Sequence, residues 1–355
     1  MATEQLTSEF LASQLLPQFG IVDAEVSPLR GGLINQSYNV ATERNGERVD
    51  LILQRVNPIF PAAIHRNIHA VTVALKRAGL PTPQLVSTLD GRLCLDGQSG
   101  VWRLMNRIPG VTFDVVEGPE QAQAAGAAVG QFHAALATLD HVFVGGRIGV
   151  HDTARHLAHL DAVIRDFPQH RLFDDVAPLA KNIQAAARAL PSLPSIPPRV
   201  GHGDLKFNNL VFAGALPPAS RKAVCWIDLD TVGPVALAHE LGDAWRSWCN
   251  RSGEDDPEAK LDLDIFAASW RGYEETIGRS LSQDERLALL LGPEWISLEL
   301  SARFTADALA ETYFGWSPDR FPGRAEHNLV RGRGQWSLFQ AFRDSRAERA
   351  RLLVA

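Results

Sequence analysis

The sequence predicts an α+β fold of two lobes, a small β-rich N-terminal lobe and a larger, mainly helical C-terminal lobe. Three observations lead there. Short strand-like segments separated by turn signals concentrate in the first hundred or so residues. Long segments of helical periodicity dominate the rest. The change of character falls at Pro109-Gly110, so the lobes are set at 1–105 and 106–355 with a hinge at about 105–110. A chain of 355 residues has the volume for two lobes sharing a cleft.

The elements follow in order. Phe10, Leu11, Leu15 and Leu16 have helical spacing and predict a short amphipathic helix over Ser8–Phe19. Strands are predicted over Ile21–Leu29 and Gln36–Thr42, flanking Gly31 and Gly32, and over Val49–Val56 after the turn pair Asn45-Gly46. A helix over Ala62–Ala78 is stopped by Gly79, Pro81 and Pro83. Gln84–Leu89, Cys94–Leu95 and Val101–Met105 read as further strands. Beyond the hinge, Pro119–Leu139, Ala154–Asp166 and Asp175–Leu190 read as helices. Leu210–Phe212 and Ala223–Ile227 read as short strands, and the chain is mainly helical from Ala236 onward.

Bulk properties exclude several classes. The net charge is -6 and no Lys/Arg run is present, so no nucleic-acid partner is expected. No apolar run reaches the ~20 residues that span a bilayer, so no membrane partner is expected. The polar N-terminus lacks the layout of a signal peptide. Cys94, Cys225 and Cys249 are odd in number and have no C-x-x-C spacing, which predicts reduced thiols and a cytoplasmic location.

The chemistry concentrates in His202-Gly203-Asp204-Leu205-Lys206-Phe207-Asn208-Asn209, of the form H-x-D-x-K-x-x-N. Phosphoryl transfer asks a protein for positioning and charge neutralisation more than for covalent chemistry. Asp204 is suited to orient an attacking hydroxyl, Lys206 to offset charge on the transferred group, and Asn209 to offer a neutral oxygen to Mg²⁺. His202 reads as a loop-shaping residue. Ile227-Asp228-Leu229-Asp230 follows the strand Ala223–Ile227. Asp228 is a second metal ligand. Asp230, on the same side if the strand continues, is a candidate for a second metal or for substrate hydroxyls. Asp243, near the start of a helix, reads as a buttress that accepts backbone N–H groups from the loop. His156 and His159, at i and i+3, read as surface histidines, and Trp245 and Trp248 as core.

These segments resemble the aminoglycoside phosphotransferase family, a branch of the protein-kinase-like fold that also includes choline and homoserine kinases. The resemblance runs the whole chain in order: glycine loop, third strand, helix, hinge, catalytic loop, metal strand, helical end. Within it, Leu53-Gln54-Arg55-Val56-Asn57, Asp228-Leu229-Asp230-Thr231-Val232, Arg303-Phe304 with Asp307, and His327-Asn328-Leu329-Val330-Arg331 with Gln335 are most similar to the N-acetylhexosamine 1-kinase branch. The resemblance implies ATP and Mg²⁺ as cofactors. It implies nucleotide contacts from Gly31, Gly32, Asn35 and Arg55, with adenine against the backbone of Met105, Asn106 and Ile108. For a sugar acceptor it implies Arg303, Tyr313 and Trp316 beside Asp204 and Asp230.

The sequence departs from the wider kinase pattern. The glycine loop is not G-x-G-x-x-G, and the third strand carries Gln54-Arg55 where a lysine is usual. The helix Ala62–Ala78 has no Glu, which leaves Asn67 or His69 to stand in for it. Neither D-F-G nor A-P-E is present, which disfavours a protein acceptor. The expected activity is ATP-dependent phosphorylation of a small molecule, with the anomeric hydroxyl of an N-acetylhexosamine favoured. Aminoglycoside, choline or homoserine phosphorylation and an inactive nucleotide-binding scaffold are the alternatives.

Overall fold

The computed structural model describes residues 7–29, 34–44, 46–146 and 150–354. The first helical segment is α1 (Ser8–Phe10), continued by one wide turn over Leu11–Leu15 and one tight turn over Leu16–Phe19. Its Leu11, Leu15, Leu16 and Phe19 bury against one face of an antiparallel sheet, on Tyr38, Val40, Leu51, Leu53, Trp102 and Leu104.

That sheet contains β1 (Ala24–Leu29), β2 (Gln36–Arg44), β3 (Glu47–Val56), β4 (Leu85–Val86), β5 (Leu95–Gly97) and β6 (Gly100–Asn106). Its order is β1-β2-β3-β6-β4, with β5 also paired to β6. Side chains alternate across a strand. The outer face therefore collects Leu51, Leu53 and Arg55 from β3 with Trp102 and Leu104 from β6. The inner face collects Ile52, Gln54 and Val56 with Arg103. Helix α2 (Ile64–Arg77) buries Ile64, Ile68, Val71 and Leu75, one stripe at helical spacing, into the main core.

Beyond β6 the chain crosses into the helical lobe, where Val111 and Phe212 exchange backbone hydrogen bonds at 2.9 and 2.8 Å. This lobe holds α3 (Pro119–Leu136), α4 (Thr153–Asp166) and α5 (Phe173–Ala189). Four three- or four-residue strands come next: β7 (Arg199–Gly201), β8 (Leu210–Phe212), β9 (Ala223–Trp226) and β10 (Gly233–Val235). Then follow α6 (Leu237–Trp248), α7 (Leu263–Thr276), α8 (Gln283–Ala310), α9 (Arg324–Asp344) and α10 (Arg346–Leu352). Helices α3 and α7 approach so closely that a Cβ on Gly126 would lie 1.9 Å from the Ser269 carbonyl oxygen, and one on Gly272 would lie 2.0 Å from that of Gln123. Glycine at these two positions is what admits this approach. Trp245 and Trp248 are core residues, as their spacing predicts. The main core joins α2, α3, α6 and α7, and a second joins α4, α5, α8 and α9. Among the described residues all three cysteines are free, and no helix is long and apolar enough to cross a membrane.

Candidate active site

The 202–209 loop lies between β7 and β8, and β7 pairs with β10 in the register Gly201↔Gly233. Neither β7 nor β10 was legible as a strand, because three residues carry no usable period. Their pairing brings the start of the loop beside the segment after Asp228.

His202 is fully buried and spends both ring nitrogens on the backbone. Its Nδ1 lies 3.3 Å from the Asp204 N–H and its Nε2 lies 2.8 Å from the Ile227 carbonyl. The first contact needs an acceptor and the second a donor, which puts the proton on Nε2. His202 also accepts the Thr231 hydroxyl on its carbonyl at 2.8 Å. Gly203 has φ 79°, and a Cβ there would meet the Thr231 carbonyl at 2.7 Å. Glycine is required at this bend.

The buttress of this loop is Glu240, not Asp243. The Glu240 carboxylate accepts the N–H of His202 at 2.7 Å and that of Gly203 at 3.0 Å. Burial pushes its carboxyl up, but His133 and the His202 backbone donor outweigh burial and hold it below its ordinary 4.5. Asp243 lies almost one helical turn further along α6. There it pairs with Arg246 at 2.8 Å and faces the cavity. Helical phase decides between the two carboxylates, and the sequence alone does not fix that phase relative to the loop.

Asp204 accepts Lys206 Nζ at 3.2 Å. Asn209 donates through Nδ2 to the Asp204 carbonyl at 3.0 Å, while its Oδ1 accepts nothing from the described residues. β9 ends at Trp226, so Asp228 and Asp230 do not continue a strand. Asp228 sits in the left-handed region at φ 62°, a conformation uncommon for a non-glycine residue. Its carboxylate has no hydrogen-bond donor among the described residues. Burial, and next the charge of Asp230, raise its pKa above the ordinary 3.8. An unspent amide oxygen and a buried carboxylate without a hydrogen-bond donor among the described residues, from neighbouring segments, are a donor set that fits Mg²⁺ shared with phosphate oxygens.

Asp230 lines the cavity, but its carboxylate is engaged by the protein itself. It forms a buried ion pair with Arg103 of β6 and accepts Asn35 Nδ2 at 2.7 Å. Burial alone would raise its carboxyl, but Arg103 outweighs it and the pKa lies below 3.8. Asn35 in turn accepts the Asn57 N–H at 2.9 Å. Both residues thus tie the sheet lobe to the helical lobe in this structure. They were expected at the substrate and the nucleotide. Arg103 was missed. A lone arginine in an apolar strand, Val101–Met105, was the available signal, since such a charge needs a buried partner.

Strand alternation also corrects Arg55. It lies on the outer face, 6.0 Å over the Trp102 ring, away from the cleft. Gln54 takes the inner position and accepts Arg103 Nε at 2.9 Å. Of the two α2 side chains expected near such a cation, Asn67 bonds the Val144 backbone at 2.8 Å and His69 is exposed. His65 is the α2 residue that faces Arg103 and Asp230. Gly31 and Gly32 lie outside the described residues. At the hinge, Met105 pairs with Leu85, and Asn106 closes on Gln84 through its N–H at 3.1 Å and through its side chain. Ile108 follows in the connection, and its N–H donates to none of the described residues.

A cavity of about 1050 Å³ opens from Asp204 and Lys206 and runs past Asp243 and Arg246 to Arg303, Phe304, Phe314 and Arg331. Arg303 of α8 lies 5.7 Å over Tyr313 and 5.5 Å over Phe314. It does not pair with Asp307, which instead accepts the backbone N–H groups of Thr312, Tyr313 and Phe314, each at 2.8 Å. That anchor turns Phe314 into the cavity wall and leaves Tyr313 60% exposed. Trp316 is half-buried off the wall. Of the five residues expected at the acceptor, Asp204, Asp230 and Arg303 line the cavity while Tyr313 and Trp316 do not, and Phe314 was missed.

A two-lobed fold with an H-x-D-x-K-x-x-N loop facing a cleft defines a protein of protein-kinase-like architecture. The chain belongs to the phosphotransferase enzyme family, whose sequence profile matches residues 25–276. Its fold is similar to that of an aminoglycoside phosphotransferase from Alicyclobacillus acidocaldarius, at 15% identity and TM-score 0.58, covering 95% of this chain and 99% of the other. A microcompartment-associated aminopropanol kinase matches at 17% identity and TM-score 0.61, covering 95% and 98%. A spectinomycin phosphotransferase in complex with ADP and spectinomycin matches at 12% identity and TM-score 0.53, covering 99% of both chains.

Proposed function

We propose that the protein is an ATP-dependent kinase of a small hydroxylated molecule, and that its acceptor is the anomeric hydroxyl of an N-acetylhexosamine. One observation carries this reading. Asp204 and Lys206 line a cavity of about 1050 Å³, large enough for a sugar, and Asn209 and Asp228, on segments joined by the Ile227 N–H to the Asn209 carbonyl, have oxygens unspent. Family membership supplies the reaction class, and the spectinomycin phosphotransferase bound to ADP supports ATP as donor.

In this reading Asp204 accepts a hydrogen bond from the acceptor hydroxyl and aims its lone pair at the γ-phosphorus. Lys206, half-exposed in the same cavity, offsets charge on the transferred phosphoryl oxygens. Asn209 Oδ1 and Asp228 would hold Mg²⁺, which when bound neutralises phosphate charge. The Ile108 N–H is available to an adenine acceptor. An anomeric hydroxyl is more acidic than an alkyl one, so orientation by Asp204 suffices. α6 begins at Leu237 directly after β10, which leaves no long segment to dock a peptide. The cavity is lined by Lys206, Arg246, Arg303 and Arg331 and by the carboxylates of Asp152, Asp204, Asp230, Glu240, Asp243 and Glu254. Most of these carboxylates are already engaged, Glu240 by the loop N–H groups, Asp230 by Arg103, Asp243 by Arg246 and Glu254 by Arg246 and Arg331, which supports an uncharged acceptor over polycationic aminoglycosides.

The test is ADP release with ATP and Mg²⁺ against a panel of N-acetylhexosamines, hexoses, amino alcohols and aminoglycosides. Release that depends on an N-acetylhexosamine is expected, with the phosphate on the anomeric oxygen by ³¹P NMR. Asp204→Asn is expected to lower kcat by roughly 10²–10⁴-fold with the KM for ATP unchanged. Turnover of that variant within threefold of wild type removes Asp204 from the role.

A further inference from the structure

One side of the cavity is built around a carboxylate that phosphoryl transfer does not use. Glu299 of α8 has a fully buried side chain. Its Oε2 accepts the Thr153 hydroxyl at 2.6 Å and its Oε1 accepts His151 Nδ1 at 3.1 Å. Arg303 Nη1 lies 3.8 Å from the same oxygen and His156 Nε2 lies 4.0 Å from it, so His156 is not the surface residue its spacing suggested. One negative charge therefore organises four side chains from α8, the N-terminus of α4 and the segment before it.

With Nδ1 donating to Glu299, the second ring nitrogen of His151 is left for the cavity that His151 lines. His239 of α6 lies beside it with ring centroids 5.0 Å apart, also lines the cavity, and makes no side-chain hydrogen bond to the described residues. Glu299, Arg303, Asp243, His239 and His156 are the charged and titratable groups around His151. Burial lowers the His151 pKa, but the Glu299 hydrogen bond and charge outweigh it and hold the value above the ordinary 6.5. Burial, then the charge of His151, push His239 down to about 4. His151 thus holds its charge to higher pH than a free imidazole, and while charged it offers the cavity an N–H donor beside a neutral His239 ring that both donates and accepts.

We propose that His151 and His239 are specificity-determining residues of the acceptor site: His151, clamped by Glu299, donates through Nε2 to an oxygen of an uncharged polyhydroxylated acceptor, His239 meets a second hydroxyl, and the pair disfavours acceptors that carry an ammonium group. The proposal rests on the kinase reading and deepens it. Arg303 continues the same donor wall toward Phe314.

The experiment compares wild type, His151→Gln and His239→Ala with N-acetylglucosamine, N-acetylgalactosamine, ethanolamine and 1-amino-2-propanol under saturating ATP and Mg²⁺. His151→Gln is expected to raise the sugar KM roughly tenfold, the loss of one charge-assisted hydrogen bond. The KM for ATP should stay within twofold. His239→Ala should raise the sugar KM severalfold. Because the His151 pKa is raised, the donor charge is present at low pH and lost as pH rises through the folded value. The wild-type sugar KM should therefore climb from pH 6.5 to 9, and this slope should vanish in His151→Gln. A purely structural role would not move that slope. A His151→Gln sugar KM within twofold of wild type, a slope retained in the variant, or preference for the amino alcohols overturns the proposal. Absence of sugar turnover in wild type overturns the sugar-kinase reading separately. Histidine ring ¹H–¹⁵N spectra then decide the wall: shifts of both His151 and His239 on adding N-acetylglucosamine support it, and unmoved resonances overturn it. The same spectra serve if either variant fails to fold.

Discussion

Replacing Glu240 by Gln tests the construction of the site most directly. The side chain keeps its shape but exchanges one acceptor oxygen for an NH₂ group. Glu240 now receives two backbone donors, His202 N–H at 2.7 Å and Gly203 N–H at 3.0 Å, inside a fully buried environment. In the variant one N–H keeps a carbonyl acceptor and the other faces a donor. The lost charge-assisted bond and the buried N–H left without a partner together cost about 2–4 kcal/mol. Urea unfolding at pH 7 reads this cost directly. The loop carries Asp204, and a displacement on the order of 1 Å at a reacting group lowers rates by about 10²-fold. A fall in kcat of that size is therefore expected, with the KM for ATP within threefold. Asp243→Asn, which touches neither N–H, should move the loop less. The pH dependence has a definite sign. The Glu240 carboxyl is held below 4.5, so its contribution to stability is complete above 4.5 and is lost as pH falls through the folded value. That acid-side loss should shrink in Glu240→Gln. A variant within 0.5 kcal/mol of wild type, on the order of the scatter of surface substitutions, would refute the assignment of the buttress.

Three further outcomes follow from the geometry. Asp230→Ala leaves Arg103 buried without its partner and is expected to cost about 3–5 kcal/mol in denaturant unfolding; the cost should be smaller at acid pH, since the low carboxyl pKa withdraws the ion pair only below 3.8. Arg55→Ala is expected to leave the KM for ATP within twofold, because Arg55 stacks on Trp102 on the outer sheet face; a tenfold rise would return it to the phosphates. Gly126→Ala forces a methyl group against the Ser269 carbonyl and should destabilise the α3–α7 packing by roughly 1–3 kcal/mol or more, read as a lower Tm.

Much of the fold was legible because its elements are long or periodic. α2, α4 and α5 match their predicted spans to within two residues at each end, and the strand pattern around Asn45-Gly46 is the β2–β3 hairpin. α3 ends at Leu136 instead of Leu139, although Leu139 still packs against the main core. β4 is shorter than predicted, because only Leu85 and Val86 find a ladder partner on β6. The short strands β7 and β10 were invisible for lack of a period.

What the sequence determined by itself was the local chemistry: a loop whose residue types and spacing name a phosphoryl-transfer reaction, and a β-rich front ahead of a helical back. These are short-range properties, set by neighbours along the chain. The tertiary structure decided the partners. It chose Glu240 over Asp243 as the support of the loop, Gln54 over Arg55 as the inward residue, Phe314 over Tyr313 and Trp316 as cavity wall, and Arg103 as the counter-charge of Asp230. Each choice depends on the phase of a helix or strand relative to an element far away in sequence. A shift of one residue turns a side chain to another face, and burial then makes the surviving pair far stronger than anything spacing alone reveals.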